Sequence, residues 1–238
     1  MRDAGSWTGT VRLRPGALVF VGKLGSAHAH THAAVQLLVV GSGRVIVTDE
    51  SGGERNVATA AISPGVQHAV RAESAFGAAI YLDPASRGTG VSAQDPMAGW
   101  ESKAALLLSV PLDEEFPETA LTLLTSPPAA DPDPSLRRAV DLVDQGTAGP
   151  LRLADVAAQV GLSPSRLRHL FSERLGLPFT AYVRWARLRA AMEAVQAGGS
   201  LTEAAHLAGF TDSSHLTRVT HAMFGLPPSA AARGLRWE

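Results

Sequence analysis

Short apolar runs broken by turn residues fill the first half of the chain, and longer runs with a three-to-four-residue spacing fill the second. In the first half, residues 18–23, 35–40, 44–48 and 76–82 are β-branched or aromatic and are punctuated by Gly, Ser, Asp and Pro, the pattern of strands. Residues 104–110 and 113–125 widen the spacing, with Phe116, Ala120, Leu121, Leu123 and Leu124 on one stripe, which predicts one or two helices closing this part. Residues 126–134 read Ser-Pro-Pro-Ala-Ala-Asp-Pro-Asp-Pro. Proline lacks a backbone donor and pushes its predecessor to extended geometry, so this segment is expected to be a linker. Beyond it, helices are predicted over 135–145, 153–160, 164–175, 179–197, 201–207, 212–224 and 227–233. Their starts carry local chemistry: Ser163 precedes Pro164 at a first helical position, and Ser200 with Glu203 forms a capping box. Gly161, Gly176 and Gly209 fall where helices must stop or turn.

Two domains suit 238 residues. The expected division is 1–125 as a sensor and dimerisation domain, 126–134 as linker and 135–238 as a helical domain. A hydrophobic content of 45% and a charged content of 18% belong to an ordinary globular chain. No run of about 18 apolar residues offers a membrane span, and the amino terminus lacks the apolar stretch of a secretory signal. The expectation is a cytoplasmic protein with no membrane partner. With no cysteine, disulfides, thiol nucleophiles and thiolate metal sites are excluded, which leaves histidine as the borderline metal ligand. The net charge of -1 hides an asymmetry: residues 1–134 hold 9 Lys and Arg against 14 Asp and Glu, whereas 135–238 hold 12 against 8. Only the second part suits a polyanion.

A helix-turn-helix needs a short helix, a tight turn and a second helix with one buried and one free face. Residues 153–171 meet this requirement. Val156, Ala157 and Val160 supply the first buried side, Gly161 the turn, and Leu167, Leu170 and Phe171 the anchor of the second helix. Ser165, Arg166, Arg168, His169 and Ser172 are left facing outward. The same grammar recurs about 48 residues later, with Ala205 matching Ala157, Gly209 matching Gly161 and Leu216 matching Leu167. Its outward set is Ser213, Ser214, His215, Thr217 and Arg218. Two such units in one chain suit successive major grooves on one face of DNA, about 34 Å apart.

On these residues the segment 135–229 resembles the AraC/XylS family of bacterial regulators. The features that carry the resemblance are Asp155-Val-Ala-Ala with Gly161-Leu-Ser-Pro-Ser, Leu167-x-x-Leu-Phe171, Gly176 with Tyr182, Arg187-Leu-x-x-Ala191, Ala204-Ala with Gly209-Phe210, Leu216-Thr-Arg218 and Phe224-Gly-x-Pro227-Pro. The resemblance implies base contacts from Ser165, Arg168 and His169, flanked by Arg166, and from Ser213, Ser214, Thr217 and Arg218, with the remaining basic residues positioning phosphates. It also implies a homodimer through the front domain, with 104–125 as the surface, and leaves contact with RNA polymerase open. The chain departs from the family at Thr220, where an aromatic residue is usual, and at Ala231-Ala232. A threonine hydroxyl in that slot is tolerable if it bonds to a carbonyl one turn earlier.

In the front half, His28, His30, His32 and Gln36 project to one side if the segment is a single strand, with Val35, Leu37 and Val39 on the other. Together with the segment from Pro64 to His68, this resembles the two motifs of the cupin barrel, with Gln36 in the acidic ligand position and Gly43 at the following glycine. The resemblance implies an α+β chain: an amino-terminal cupin-like β-barrel with closing helices, then an all-α tandem helix-turn-helix domain. It implies metal ligation by His30, His32 and His68 to zinc, nickel or iron; the alternatives are a polar ligand pocket lined by His28, Gln36 and His68 without metal, and histidines with a structural role alone. No glycine-rich phosphate loop or nucleophile elbow occurs, so no catalytic residue is assigned and no enzyme is expected. The leading expectation is a regulator that binds double-stranded DNA under control of a small-molecule effector or metal. The alternatives are a metal-dependent cupin enzyme and a ligand-binding module, each with a helical appendage.

Overall fold

The computed structural model describes residues 6–85, 96–124, 133–226, 228 and 234–238. Most of the predicted linker, and the short helix expected at 227–233 apart from Pro228, lie outside the described residues. Two compact units emerge: Met1–Ala129 together with His221–Glu238, and Ala130–Thr220.

The first unit is a sheet of β1 (Thr8–Arg14), β2 (Ala17–Lys23), β3 (Ala27–His30), β4 (Val35–Asp49), β5 (Glu54–Val57), β6 (Thr59–Ile62), β7 (His68–Leu82) and β8 (Leu235–Trp237), with helices α1 (Pro96–Leu106) and α2 (Phe116–Leu124). Its backbone is the antiparallel pair of β4 and β7, which runs from Val35 opposite Leu82 to Asp49 opposite His68 with register shifts on either side of Ser42. The strand order is β5-β4-β7-β2-β1-β8, with β3 added on β7 and β6 on β4. This corrects the expectation of a closed cupin-like barrel. The path ends in a four-residue β5 and a three-residue β8 that do not pair with each other, so the sheet stays open. Closure depends on which distant strands meet, and short apolar runs carry no information about that. The β8 edge comes from the carboxy terminus, where Leu235 stands parallel and opposite Gly9 and the Glu238 amide donates to the Val11 carbonyl at 2.9 Å.

Strand alternation divides the sheet's faces. Val35, Leu37, Val39, Ile80 and Leu82 pack with Trp100, Ala104 and Leu107 from the α1 side and Phe116, Ala120 and Leu124 from α2. Burying each large apolar side chain there stabilises the fold by about 1.5–3 kcal/mol. On the other face Gln36 stands opposite Tyr81 and Leu38 opposite Ala79.

The second unit holds α3 (Pro134–Gln145), α4 (Leu153–Gln159), α5 (Pro164–Leu175), α6 (Phe179–Gln196), α7 (Leu201–Leu207) and most of α8 (Ser213–Phe224). Two of its starts are capped as the sequence indicates: Ser163 accepts from Arg166, and Ser200 and Glu203 bond reciprocally. Asp133 adds a third cap, accepting from the amides of Ser135 and Leu136. Helix α6 is the spine, burying Tyr182, Trp185 and Leu188 almost completely. Phe171 from α5 packs edge-on to Phe179 at 5.2 Å and to Tyr182 at 5.6 Å between ring centres. Among the described residues, no helix is long and apolar enough to cross a membrane.

Candidate functional site

The two helix-turn-helix units are α4–α5 and α7–α8. Val156 and Ala157 of α4 and Leu167, Leu170 and Phe171 of α5 are buried where the two helices pack together. Pinning that face leaves Ser165, Arg166, Arg168 and His169 exposed along the other side of α5. In α7–α8, Ala204, Ala205 and Leu216 are buried, while Ser214 and Arg218 are exposed and Ser213 and Thr217 are half-buried. Arg166 lies 3.9 Å from Glu173, whereas Arg168 and Arg218 have no ion-pair partner among the described residues. Both guanidinium groups are therefore available to an incoming anion or base edge.

Several side chains counted as outward or phosphate-positioning also have partners within the fold. His215 packs edge-on against Phe210 at 5.2 Å. Arg187 donates through Nε to the Thr147 carbonyl at 3.2 Å and through Nη2 to that of Gly149 at 2.9 Å. Arg189 donates to Asp144 at 2.7 Å. Thr217 and Thr220 return their hydroxyls to the carbonyls of Ser213 and Leu216, at 2.8 and 2.9 Å. The second bond is the arrangement that makes a threonine acceptable in place of an aromatic residue.

In the first unit, His30, His32, His68 and Gln36 are brought together and buried. One ring nitrogen from each of the three histidines lies within 4.8 Å of the others. The expected single strand over 28–36 does not form. Strand β3 ends at His30, and a register shift between Ala27 and His30 against β7 breaks the alternation. A bulge of this kind re-aims side chains. His30 turns inward, while His28 stays exposed, outside the cluster, with its ring 6.3 Å from that of His221. His28 nevertheless contributes its carbonyl oxygen, to which His30 Nδ1 donates at 2.7 Å.

The same anchoring recurs at the other two rings. His32 Nδ1 faces the Ala34 carbonyl at 2.7 Å and His68 Nδ1 faces that of Val66 at 3.1 Å. A carbonyl only accepts, so each Nδ1 carries the hydrogen and each neutral ring presents a bare Nε2. Gln36 Oε1 sits 2.9 Å from Nε2 of both His32 and His68, and Gln36 Nε2 donates to the Tyr81 hydroxyl at 3.0 Å. His30 Nε2 is buried without a hydrogen-bond partner. Burial, reinforced by the neighbouring His68, pushes His30 down to about 3 and His32 down to about 4. Burial also lowers His68 and raises Tyr81. The rings are thus held neutral, which is the form that ligates metal.

This donor set fits a divalent cation. Ligating histidines commonly donate their second nitrogen to a carbonyl, as all three do here. A tetrahedral zinc with bonds of about 2.0 Å keeps its nitrogens about 3.3 Å apart, a modest contraction of the observed group. The buried three-histidine cluster can therefore coordinate a metal ion. Sequence reasoning missed Tyr81, which holds the Gln36 amide and packs edge-on to His32 at 5.5 Å. It also missed the turn after α8, in the same unit. There the amides of His28 and Thr31 donate to the carbonyls of Gly225 and Ala222, and Phe224 meets Tyr81 at 5.1 Å.

Residues 156–234 match the family described as "Helix-turn-helix domain". The uncharacterised HTH-type transcriptional regulator YpdC of Escherichia coli K12 is 36% identical over 87 residues, covering 36% of this chain and 30% of that protein. The regulatory protein PocR of Salmonella typhimurium is 30% identical over 99 residues, 41% of this chain and 33% of PocR. The chain thus spans only 30% and 33% of the length of these two curated relatives. Among solved structures, the apo form of a ToxT variant from Vibrio cholerae covers 94% of this chain and 100% of its own at a TM-score of 0.62 and 12% identity. Wild-type ToxT bound to an unsaturated fatty acid covers 99% of this chain and 98% of its own at 0.58 and 13%. At such identities the likeness is one of fold.

Proposed function

We propose that the chain is a sequence-specific transcription regulator of the AraC/XylS type, reading double-stranded DNA with α5 and α8 and sensing a small molecule or divalent metal in its amino-terminal unit. The observation that carries this reading is the duplicated helix-turn-helix, in which each second helix keeps one face in the core and, on the other, an exposed arginine, Arg168 or Arg218, with no ion-pair partner among the described residues. An arginine free of internal partners can grip guanine O6 and N7 with two hydrogen bonds, worth about 1–3 kcal/mol of discrimination at one base pair. Ser165, Arg166 and His169 flank the first arginine, and Ser213, Ser214 and Thr217 flank the second, where they can position the backbone or add base contacts. The match of 156–234 to a helix-turn-helix family, and the naming of YpdC as a transcriptional regulator, support the DNA end.

For the sensor end, His30, His32 and His68 are the proposed ligands of zinc, nickel or iron, with the Gln36 amide between His32 and His68 and His28 outside the cluster. That a ToxT of similar fold is bound to a fatty acid supports a small-molecule effector in this class of architecture. Exposed Leu106, Leu108 and Leu123 on and between α1 and α2 support a homodimer through that helical layer. The direct test is a comparison of wild type, Arg168→Ala and Arg218→Ala on a library of variant duplex sites. Each substitution is expected to relax preference at one base-pair position, a different one for each arginine. Unchanged profiles in both would defeat the assignment.

A further inference from the structure

The donor set around the histidine cluster has no negative charge. Three rings held as neutral Nδ1–H tautomers meet there with the amide of Gln36, and among the described residues no carboxylate belongs to the group. Gln36 is 1% exposed, and the three histidines are exposed by 3% or less, so solvent does little to screen a charge placed there. The Gln36 amide has two useful orientations. With its NH2 between His32 and His68 it donates to both bare nitrogens while its oxygen accepts from Tyr81, a hydrogen-bonded state without a cation. With its oxygen between the rings, as the 2.9 Å contacts place it, it offers a neutral fourth donor to a cation.

A dication bound by four neutral donors keeps its full charge in a dry site, which is strongly unfavourable unless a counter-charge accompanies it. A side-chain carboxylate at position 36 would supply that charge internally; Gln36 does not. We infer that Gln36 makes this centre selective for an anionic oxygen ligand, so that the small molecule bound on the metal is a carboxylate rather than a neutral alcohol, amide or sugar. The inference rests on the reading of the cluster as a cation site. Bound together, cation and carboxylate leave a smaller net charge than the cation alone, and each raises the affinity of the other, since binding linkage is reciprocal.

The test uses the full chain, stripped of metal and loaded with Co2+, whose visible absorption reports its ligands. Acetate and its neutral isostere acetamide are titrated separately. The expected result is a saturable spectral change with acetate and none with acetamide at the same concentration. In Gln36→Glu, the side chain supplies the charge, so Co2+ is expected to bind more tightly and acetate to bind more weakly, by about tenfold or more, as expected for opposite charges at ligand distance. Equal responses to acetate and acetamide in the wild-type protein overturn the inference, and this comparison needs no variant to fold. Acetate affinity unchanged in a folded Gln36→Glu protein also overturns it. A wild-type protein that takes up no Co2+ defeats the cation site along with the inference, whereas Co2+ uptake without preference for acetate defeats the inference alone. DNA binding is measured separately and stands or falls independently.

Discussion

Gly161 and Gly209 occupy the same place in the two helix-turn-helix units, the tight turn between the first helix and the second, and both have left-handed backbones, with φ of +72° and +74°. Replacing each with alanine forces an L side chain into that region, at a cost of about 1 kcal/mol. The surroundings then separate the two. A Cβ at Gly161 meets nothing within 4 Å. A Cβ at Gly209 overlaps the carbonyl oxygen of Thr147 and approaches Arg187 Nε at 3.2 Å. That carbonyl accepts the Arg187 Nε hydrogen bond that helps hold the 147–149 loop to α6. Moving it weakens a charge-assisted bond worth about 1.5–3 kcal/mol. Gly209→Ala is therefore expected to destabilise the helical unit by about 3 kcal/mol and Gly161→Ala by about 1 kcal/mol. Denaturant unfolding of the full chain, followed by hydrogen exchange of peptides from α6 and α7, reads the difference locally. Equal losses in the two variants, or a larger loss at Gly161, would refute the argument that the Thr147 carbonyl seats the second unit.

Two further outcomes follow from other parts of the chain. His30 and His32 are neutral in the fold down to about 3 and about 4, but in the unfolded chain each titrates near 6.5. Between those limits the unfolded chain binds more protons, so their contribution to stability is complete above about 6.5 and is lost as pH falls toward 4. At pH 5 the loss for one such histidine is about 2 kcal/mol, from 1.5 pH units at about 1.4 kcal/mol each. Metal-free protein should show correspondingly lower exchange protection around β3 and β4 at pH 5 than at pH 7.5, and identical protection would mean that the rings are not held neutral. Separately, the paired charge substitutions Leu108→Glu and Leu123→Glu should convert a dimer to a monomer in sedimentation velocity; a wild-type protein that sediments as a monomer at all concentrations contradicts the proposed dimer surface.

The helical unit was legible because its signals are local. Ser163 before Pro164, the Ser200 and Glu203 pair, and the turn glycines each lie within a few residues of the boundary they set, and the structure places α5 at Pro164–Leu175 and α7 at Leu201–Leu207. The sheet was harder to read because its information is spread over distant pairs. Gly41, Ser42 and Gly43 read as a break between two strands, yet β4 runs through them by shifting register against β7, with Gly43 at a φ of +79°. Strand β1 is mostly polar and half-exposed, and its place depends on β2 and β8 rather than on its own pattern. The histidines were recognised as a group, but which of them meet was fixed by the bulge between Ala27 and His30. Tyr81 joins them only because β7 sets it opposite Gln36. In the same way Arg187 and Arg189 look like any exposed helix arginines until α6 is laid beside the 144–149 segment.

The claim that two reading helices in one chain recognise DNA is tested most directly by selecting bound sites from a random duplex library with the 238-residue chain and measuring the affinity of the selected site across salt concentration. The account predicts a site with two conserved elements about one helical turn, 10–10.5 base pairs, apart, and an affinity that falls steeply with salt as phosphate contacts release counterions. Selection of a single element would contradict a role for α8 in base reading, and no enrichment at all would contradict the central claim.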